Sequence, residues 1–170
     1  MNHYRLNNGV EIPVLGFGTW KAANGEEAYQ AVLAALKAGY RHIDTAAIYQ
    51  NEESVGRAIK DSGLAREDLF ITTKLWNTHH TYEDAQAALE ESLEKLGLDY
   101  VDLYLIHWPN PKPLRENDAW KQRNAEVWRA MEDMLAAGKV RAIGISNFLP
   151  HHLEALLETA RVIPSVNQIR

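Results

Sequence analysis

The feature that most constrains this chain is a strict alternation of short apolar strands with amphipathic helices along most of its length. Strands are predicted at residues 14–18, 42–44, 69–75, 100–107, 140–146 and 164–169, and helices between them at 25–38, 51–63, 81–96, 118–137 and 149–160. A small hairpin with an Asn8-Gly9 turn is predicted before them, over residues 4–14. Such alternation is typical of a parallel sheet covered by helices, because each crossover helix returns the chain to the same edge.

Two parallel architectures fit this alternation. A doubly wound sheet usually carries the glycine pattern GxGxxG after its first strand, whereas this chain has GFGTWK at residues 16–21. A barrel instead gathers its functional side chains at the carboxyl ends of its strands. Polar residues follow the predicted strands in that way: Asp44, Lys74, His107, Ser146, Asn147, Asn167 and Gln168. We therefore expect an α/β fold, a parallel (β/α) barrel of the TIM type with an N-terminal β-hairpin, incomplete because about six of eight strands are present.

Composition excludes several classes of function. The formal net charge is −5 and the pI about 5.8, so no nucleic-acid or anionic-membrane partner is expected. The chain has no cysteine, which excludes disulfides and thiolate metal sites. No apolar run approaches a membrane span and no signal core is evident, so we predict a cytoplasmic protein. The adjacent pairs His79-His80 and His151-His152 do not share a face, and we expect them to face solvent and bind no metal.

Four of the residues near the predicted strand ends fit one reaction. These residues are Asp44, Tyr49, Lys74 and His107. Taken singly, such an aspartate is more typical of a turn and such a tyrosine of core packing. A single lysine there is more typical of a solvated amine, and a single histidine of a hydrogen-bonded core residue. Together they suit the reduction of a carbonyl by hydride, which needs an acid to protonate the developing alkoxide. A phenol has a pKa of about 10, and a neighbouring ammonium held by a carboxylate would lower it. We expect Asp44 to anchor Lys74, Lys74 to tune Tyr49, and His107 to orient the carbonyl oxygen.

The chain also resembles a known family, the aldo-keto reductases. The resemblance lies in LGFGTW (15–20), GYRHIDTAAIYQNEESVG (39–56), ITTKLW (71–76), DLYLIHWP (102–109), GKVRAIGISNF (138–148) and PSVNQI (164–169), in the order of that family. It implies a (β/α)8 barrel preceded by a hairpin, and an NADPH site without a Rossmann motif. Within the family, the sequences of these stretches are most similar to those of bacterial reductases of diketogluconate, glyoxal and other small dicarbonyls.

The resemblance implies a role for each matching residue. The catalytic tetrad would be Asp44, Tyr49, Lys74 and His107, with Tyr49 as the general acid. Cofactor-binding positions would be Thr19, Trp20, Asp44, Ser146, Asn147 and Gln168. The small carbonyl substrate would meet Trp20, Tyr49, Trp76, His107 and Trp108. Trp120 and Trp128, on the helix after the long 108–118 loop, are expected to be packing residues.

The expected barrel departs from this family in its length. A full barrel needs roughly 250 residues, so we expect residues 1–170 to be a single domain truncated at its carboxyl end. Two strands and many of the residues that bind the cofactor in this family would then be absent. In addition, Arg170 stands where the family usually has an acidic residue. Three readings stay open: an NADPH-dependent carbonyl reductase, an inactive fragment that self-associates through exposed strand edges, and a binding protein on the reductase fold.

Overall fold

A computed structural model of the chain describes residues 2–169, and it confirms the predicted alternation. The strands are β1 His3–Arg5, β2 Glu11–Pro13, β3 Gly16–Gly18, β4 His42–Asp44, β5 Phe70–Leu75, β6 Val101–Ile106, β7 Val140–Ser146 and β8 Asn167–Gln168. The helices are α1 Glu26–Lys37, α2 Glu52–Asp61, α3 Tyr82–Leu96, α4 Ala119–Ala136 and α5 Pro150–Leu157. The first and last strands of the parallel sheet are shorter than predicted, since apolar character alone does not mark where pairing stops.

The six strands β3 to β8 form one parallel sheet in chain order, and β1 and β2 form a separate antiparallel hairpin. One hydrogen bond shows that the sheet is curled. The Gln168 side chain on β8 donates to the Asp44 carboxylate on β4 at 3.0 Å, although three strands lie between β4 and β8 in the sheet. Within the described residues, β3 and β8 are the outer strands of this order and are not paired with each other. The predicted fold class, an incomplete parallel α/β barrel with a hairpin, is confirmed.

The two faces of the curled sheet have separate apolar clusters. The outer face packs on the helices through a large buried cluster that includes Ile71 and Tyr104 of the strands and Leu89 and Met131 of the helices. The inner face has a smaller cluster, which the hairpin covers from below. That inner cluster consists of Phe70, Leu103, Leu105 and Ala142, with Leu6, Val10 and Ile12 of the hairpin region packed on it. Because both faces are buried, the strands read as continuous apolar runs in the sequence.

The hairpin is fixed at the amino-terminal end of the strands by hydrogen bonds to the far side of the sheet. The Ser165 hydroxyl donates to Asn7 Oδ1 at 2.7 Å, and Asn8 Nδ2 donates to the Arg141 carbonyl at 2.9 Å. Nearby, the fully buried Asp102 carboxylate pairs with Arg66 at 2.7 Å and Arg141 at 2.9 Å. These contacts close that end of the barrel and leave its carboxyl end open.

The helix signals in the sequence are confirmed where they are local. Thr81 and Asp84 form the predicted capping box at the start of α3. Trp120 and Trp128 are buried packing residues, as expected, and Trp128 donates its indole N–H to the Val162 carbonyl at 3.0 Å. The close approach of α2 to α3 needs a glycine, since a Cβ at Gly56 would lie 2.2 Å from the Leu96 carbonyl oxygen.

One expectation about the histidine pairs is wrong. His151 is exposed, but His152 is buried, because its Nδ1 accepts the Leu149 backbone N–H at 3.1 Å and its ring packs edge-on against Trp120. Residues 2–169 contain no group of three or more His, Asp or Glu side chains arranged to hold a metal ion. Among the helices described, none is both long and apolar enough to cross a membrane.

Candidate active site

An ion pair between β4 and β5 lies at the base of the site. Lys74 Nζ donates to Asp44 Oδ1 at 2.5 Å and to the Thr45 carbonyl at 2.9 Å. The strand register explains this pair: Asp44 lies beside Thr72, and Lys74, two residues further along β5, projects from the same inner face. The Lys74 side chain is 2% exposed and that of Asp44 is 13% exposed. Burial lowers the pKa of the Lys74 ammonium, and the charge of Asp44 opposes that change.

Tyr49 and His107 lie above this ion pair. Tyr49 ends a single 3₁₀ turn, Ala47–Tyr49, which follows β4, and Lys74 Nζ lies 5.2 Å from the centroid of its ring. The rings of Tyr49 and His107 meet edge to face at 5.9 Å between centroids. His107 directly follows β6, so the carboxyl ends of three adjacent strands bring these groups together. The structure thus gathers the four residues predicted to act together.

Aromatic rings form the walls next to His107. Trp76, which follows β5, meets the His107 ring at 5.3 Å, and Trp108 stacks beside it at 6.5 Å. Trp20, which follows β3, is 49% exposed and carries the Lys21 ammonium over its ring at 4.6 Å. All three tryptophans line one cavity together with Tyr49 and His107, so the structure brings the predicted pocket residues together.

Polar residues at the ends of the last two strands also line the cavity. Ser146 donates its hydroxyl to the Gln168 carbonyl at 2.8 Å, and Asn147 Nδ2 donates to the His107 carbonyl at 3.2 Å. Asn147 has a left-handed backbone (φ 60°), which turns the chain away from β7 at that point. Gln168 bonds the carboxylate of Asp44, so the cofactor-binding positions implied by the resemblance connect directly to the ion pair.

The cavity has a volume of about 490 Å³ and includes three residues that the sequence reasoning missed. These are Lys21, Ile48 and Ile169. The sequence signal was a polar residue at the end of a strand, whereas Lys21 and Ile48 lie outside the strands and Ile169 is apolar. The predicted site residue Thr19 lies elsewhere: it is 1% exposed, and its hydroxyl donates to the Asp44 carbonyl at 3.2 Å. Thr19 therefore holds β3 against β4 behind the cavity wall.

A buried carboxylate supports β5 from the other face of the sheet. Glu52, on α2, is 2% exposed and accepts hydrogen bonds from Thr73 at 2.6 Å and from Ser92 on α3 at 3.2 Å. Burial raises the pKa of Glu52, and these hydroxyl donors oppose the rise. Since Thr73 directly precedes Lys74, this network fixes the strand segment that carries the ammonium. In the sequence, Glu52 is marked only as an acidic residue in the first turn of a helix. A solvated helix start has the same pattern, so the sequence does not distinguish the two.

The fold and the site together define a class of protein: a parallel α/β barrel with a carboxylate, an ammonium, a phenol and an imidazole at its open end. The chain matches the model of the aldo/keto reductase family over residues 14–170, and it belongs to that family.

Curated relatives agree with this assignment. A glyoxal reductase of Bacillus subtilis is 55% identical over 165 residues, which are 97% of this chain and 56% of that protein. An aldehyde reductase of Saccharomyces cerevisiae is 49% identical over 185 residues, covering 97% of this chain and 58% of its own length. The chain thus spans somewhat more than half the length of the curated relatives it matches.

Solved structures agree in fold. An aldo/keto reductase from Brucella melitensis superposes with a TM-score of 0.91 at 51% identity, over 99% of this chain and 62% of that one. A Bombyx mori aldo-keto reductase, solved in complex with NADP, superposes with a TM-score of 0.88 at 42% identity, over 99% of this chain and 58% of that one. The six strands and their helices therefore have the arrangement of the corresponding part of these reductases.

Proposed function

We propose that this chain carries the catalytic half of an NADPH-dependent reductase of small aldehydes and ketones, with Tyr49 as the general acid. One observation carries the proposal: the buried Lys74–Asp44 pair lies directly beneath the Tyr49 ring. A structural ion pair would not need to be buried under a phenol at the floor of an open cavity. Perturbed, paired charges in a cleft are typical of catalytic sites.

The residues around the cavity fit a nicotinamide cofactor. The carboxamide of such a ring needs hydrogen-bond donors and acceptors on one wall, and Ser146, Asn147 and Gln168 place a hydroxyl and two side-chain amides there. The Lys21 ammonium at the same cavity offers a positive charge, which suits an anionic ligand. When bound, NADPH supplies the hydride that adds to the carbonyl carbon of the substrate.

The protein side chains then handle the charge on the carbonyl oxygen. His107 donates a hydrogen bond to that oxygen and holds it toward Tyr49, and Tyr49 gives its phenolic proton to the alkoxide that forms. The ammonium of Lys74 stabilises the phenolate that remains, because opposite charges attract strongly where water is excluded. The charge of Asp44 favours the protonated form of Lys74, against the effect of burial, which lowers its pKa. The phenolate recovers its proton from solvent through the open mouth of the cavity.

The size and lining of the cavity support the proposed substrate class. A volume of about 490 Å³, walled by Trp20, Trp76 and Trp108, suits a small carbonyl compound next to a nicotinamide ring. The name of the Bacillus subtilis relative, a glyoxal reductase, supports small dicarbonyls as the first substrates to try.

The proposal is tested by following NADPH absorbance with glyoxal as substrate, using the wild-type chain and Tyr49→Phe. We expect consumption of NADPH that depends on glyoxal and falls by about 100-fold or more when the acid is removed. Trp120→Phe, a change in a packing residue away from the cavity, is the matched control and should keep the rate of the wild type. Consumption that is equal in wild type and Tyr49→Phe would overturn the assignment of Tyr49.

A second function, self-association, is favoured by one observation. In the described part of the chain, β3 and β8 each have one unpaired edge, and large apolar side chains near them are exposed. These are Val14, Leu15, Ile163 and Ile169. Exposed strand edges recruit other strands, and exposed apolar patches recruit partners. A second copy of the chain is the simplest partner. Whether the cofactor site is completed would then depend on how that second copy associates.

A further inference from the structure

The Asn51 side chain is buried where three segments of the site meet. It is 1% exposed, its Nδ2 donates to the carbonyls of Thr19 at 2.9 Å and Ala22 at 3.0 Å, and its Oδ1 accepts the Thr45 hydroxyl at 2.9 Å. The Thr19 hydroxyl is a second, longer donor to Oδ1 at 3.5 Å, so both amide protons and the amide oxygen are engaged. A buried amide with every group satisfied is rigid, because moving it would leave polar atoms without partners.

This use of the side chain is unexpected from its place in the chain. Asn51 is the N-cap residue of α2, and asparagine at an N-cap normally accepts a hydrogen bond from the second or third backbone N–H of its helix. Within the fully described helix α2, Asn51 makes no such capping bond. Its side chain turns away from the helix and joins the loops instead, so helix capping does not explain the residue.

The segments that Asn51 joins carry the reactive groups. Trp20 and Lys21 lie between the two carbonyls it binds, and both line the cavity. On the other side, the Thr45 carbonyl accepts Lys74 Nζ at 2.9 Å. Tyr49 lies two residues before Asn51, separated by Gln50, whose backbone is left-handed with φ 56°. A non-glycine residue in that conformation is strained, and it persists where its surroundings hold it.

We propose that Asn51 is a positioning residue of this site: it fixes the loop that carries Trp20 and the turn that carries Tyr49 relative to Lys74. Its kinetic consequence rests on the proposed reductase function, while its structural part does not. Serine at position 51 would cap α2 well but is too short to reach the Thr19 and Ala22 carbonyls. Asn51→Ser therefore removes the bonds to the loop while leaving a residue that is able to cap α2.

The experiment compares Asn51→Ser with Thr81→Ala, which removes the capping-box residue of α3, outside the cavity lining. The first readout needs no turnover: nitrogen-15 spectra of the tryptophan indole N–H groups, with the Trp20 signal assigned by Trp20→Phe. We expect Asn51→Ser to shift or broaden the Trp20 signal and to leave the Trp128 signal in place. Thr81→Ala should leave both unchanged. The isosteric Thr45→Val, which removes one donor to Asn51, should give a smaller shift and covers the case in which Asn51→Ser does not fold.

The second readout is the rate of glyoxal-dependent NADPH consumption. We expect kcat to fall by about 10- to 100-fold in Asn51→Ser, since a misplacement of 1 Å costs that much, and to stay unchanged in Thr81→Ala. An unmoved Trp20 signal together with a kcat within about twofold of wild type would overturn the inference. A moved Trp20 signal in a protein that shows no turnover even as wild type supports the positioning role and contradicts the proposed function instead.

Discussion

Replacing Asp44 by asparagine removes the carboxylate that favours the protonated form of Lys74 under Tyr49. The Lys74 side chain is 2% exposed, so Asp44→Asn leaves a buried ammonium with the Thr45 carbonyl as its remaining partner among the hydrogen bonds described above. Breaking a buried ion pair on one side costs 3–5 kcal/mol, and we expect about 3 kcal/mol here because that carbonyl and the new amide oxygen still accept hydrogen bonds.

The reverse change is expected to cost less. In Lys74→Met, the Asp44 carboxylate keeps its bond from Gln168 and is 13% exposed, so water can solvate it; the loss should be about 1 kcal/mol. The double variant has neither charge and should be about as stable as Lys74→Met alone, which gives a coupling of about 3 kcal/mol.

The assay is urea unfolding of the four proteins at several pH values, followed by far-UV circular dichroism. The pKa of Lys74 is already lowered by burial, and Asp44→Asn removes the group that opposes this change. A lysine with a lowered folded-state pKa binds fewer protons when folded than when unfolded, so stability rises with pH up to the unfolded value of about 10.5. The deficit of Asp44→Asn should therefore shrink as pH rises. Additive losses, or a deficit that does not change with pH, would refute the reasoning.

Three further predictions concern stability and assembly. Gly56→Ala should lose about 3 kcal/mol by thermal unfolding, because the new Cβ meets a backbone oxygen 2.2 Å away, whereas Lys60→Ala on the same helix should lose under about 0.5 kcal/mol. Glu52 has a raised pKa, so its contribution to stability is present below about 4.5 and is lost as pH rises through the folded value. Glu52→Gln should lack that loss in a pH series of unfolding curves; parallel curves would contradict it. Light scattering should show mass rising with concentration, and Leu15→Lys, beside the edge strand β3, should reduce this more than Leu157→Lys on α5.

The sequence was informative where structure depends on local patterns. Alternating apolar runs and helical stripes predicted every strand of the parallel sheet and every α-helix between those strands. The residues Thr81 and Asp84 predicted a capping box that the structure contains. The barrel interpretation then placed Asp44, Lys74 and His107 at one end, because parallel strands end at the same edge. That residues 1–170 form one domain stays a prediction, as do the individual roles of the site residues.

The rest depends on contacts between distant segments, which periodicity does not encode. Asn51 reads as a helix cap, and its bonds to the β3 loop become visible once β3 and β4 are side by side. His152 reads as a solvent-facing helix-start residue but is buried, because α4 brings Trp120 against it. Lys21 and Ile48 line the cavity through the way two loops turn, and no residue-type pattern marks them.

The most direct test of the central claim is the transfer of hydrogen from cofactor to substrate. The chain is incubated with glyoxal and NADPH deuterated at both positions of nicotinamide C4, and the product is measured by mass spectrometry. The account predicts glycolaldehyde that carries one deuterium on the reduced carbon, formed by the wild type and nearly abolished in Tyr49→Phe. Glyoxal recovered without any deuterated product, at high concentrations of protein and cofactor, would contradict it.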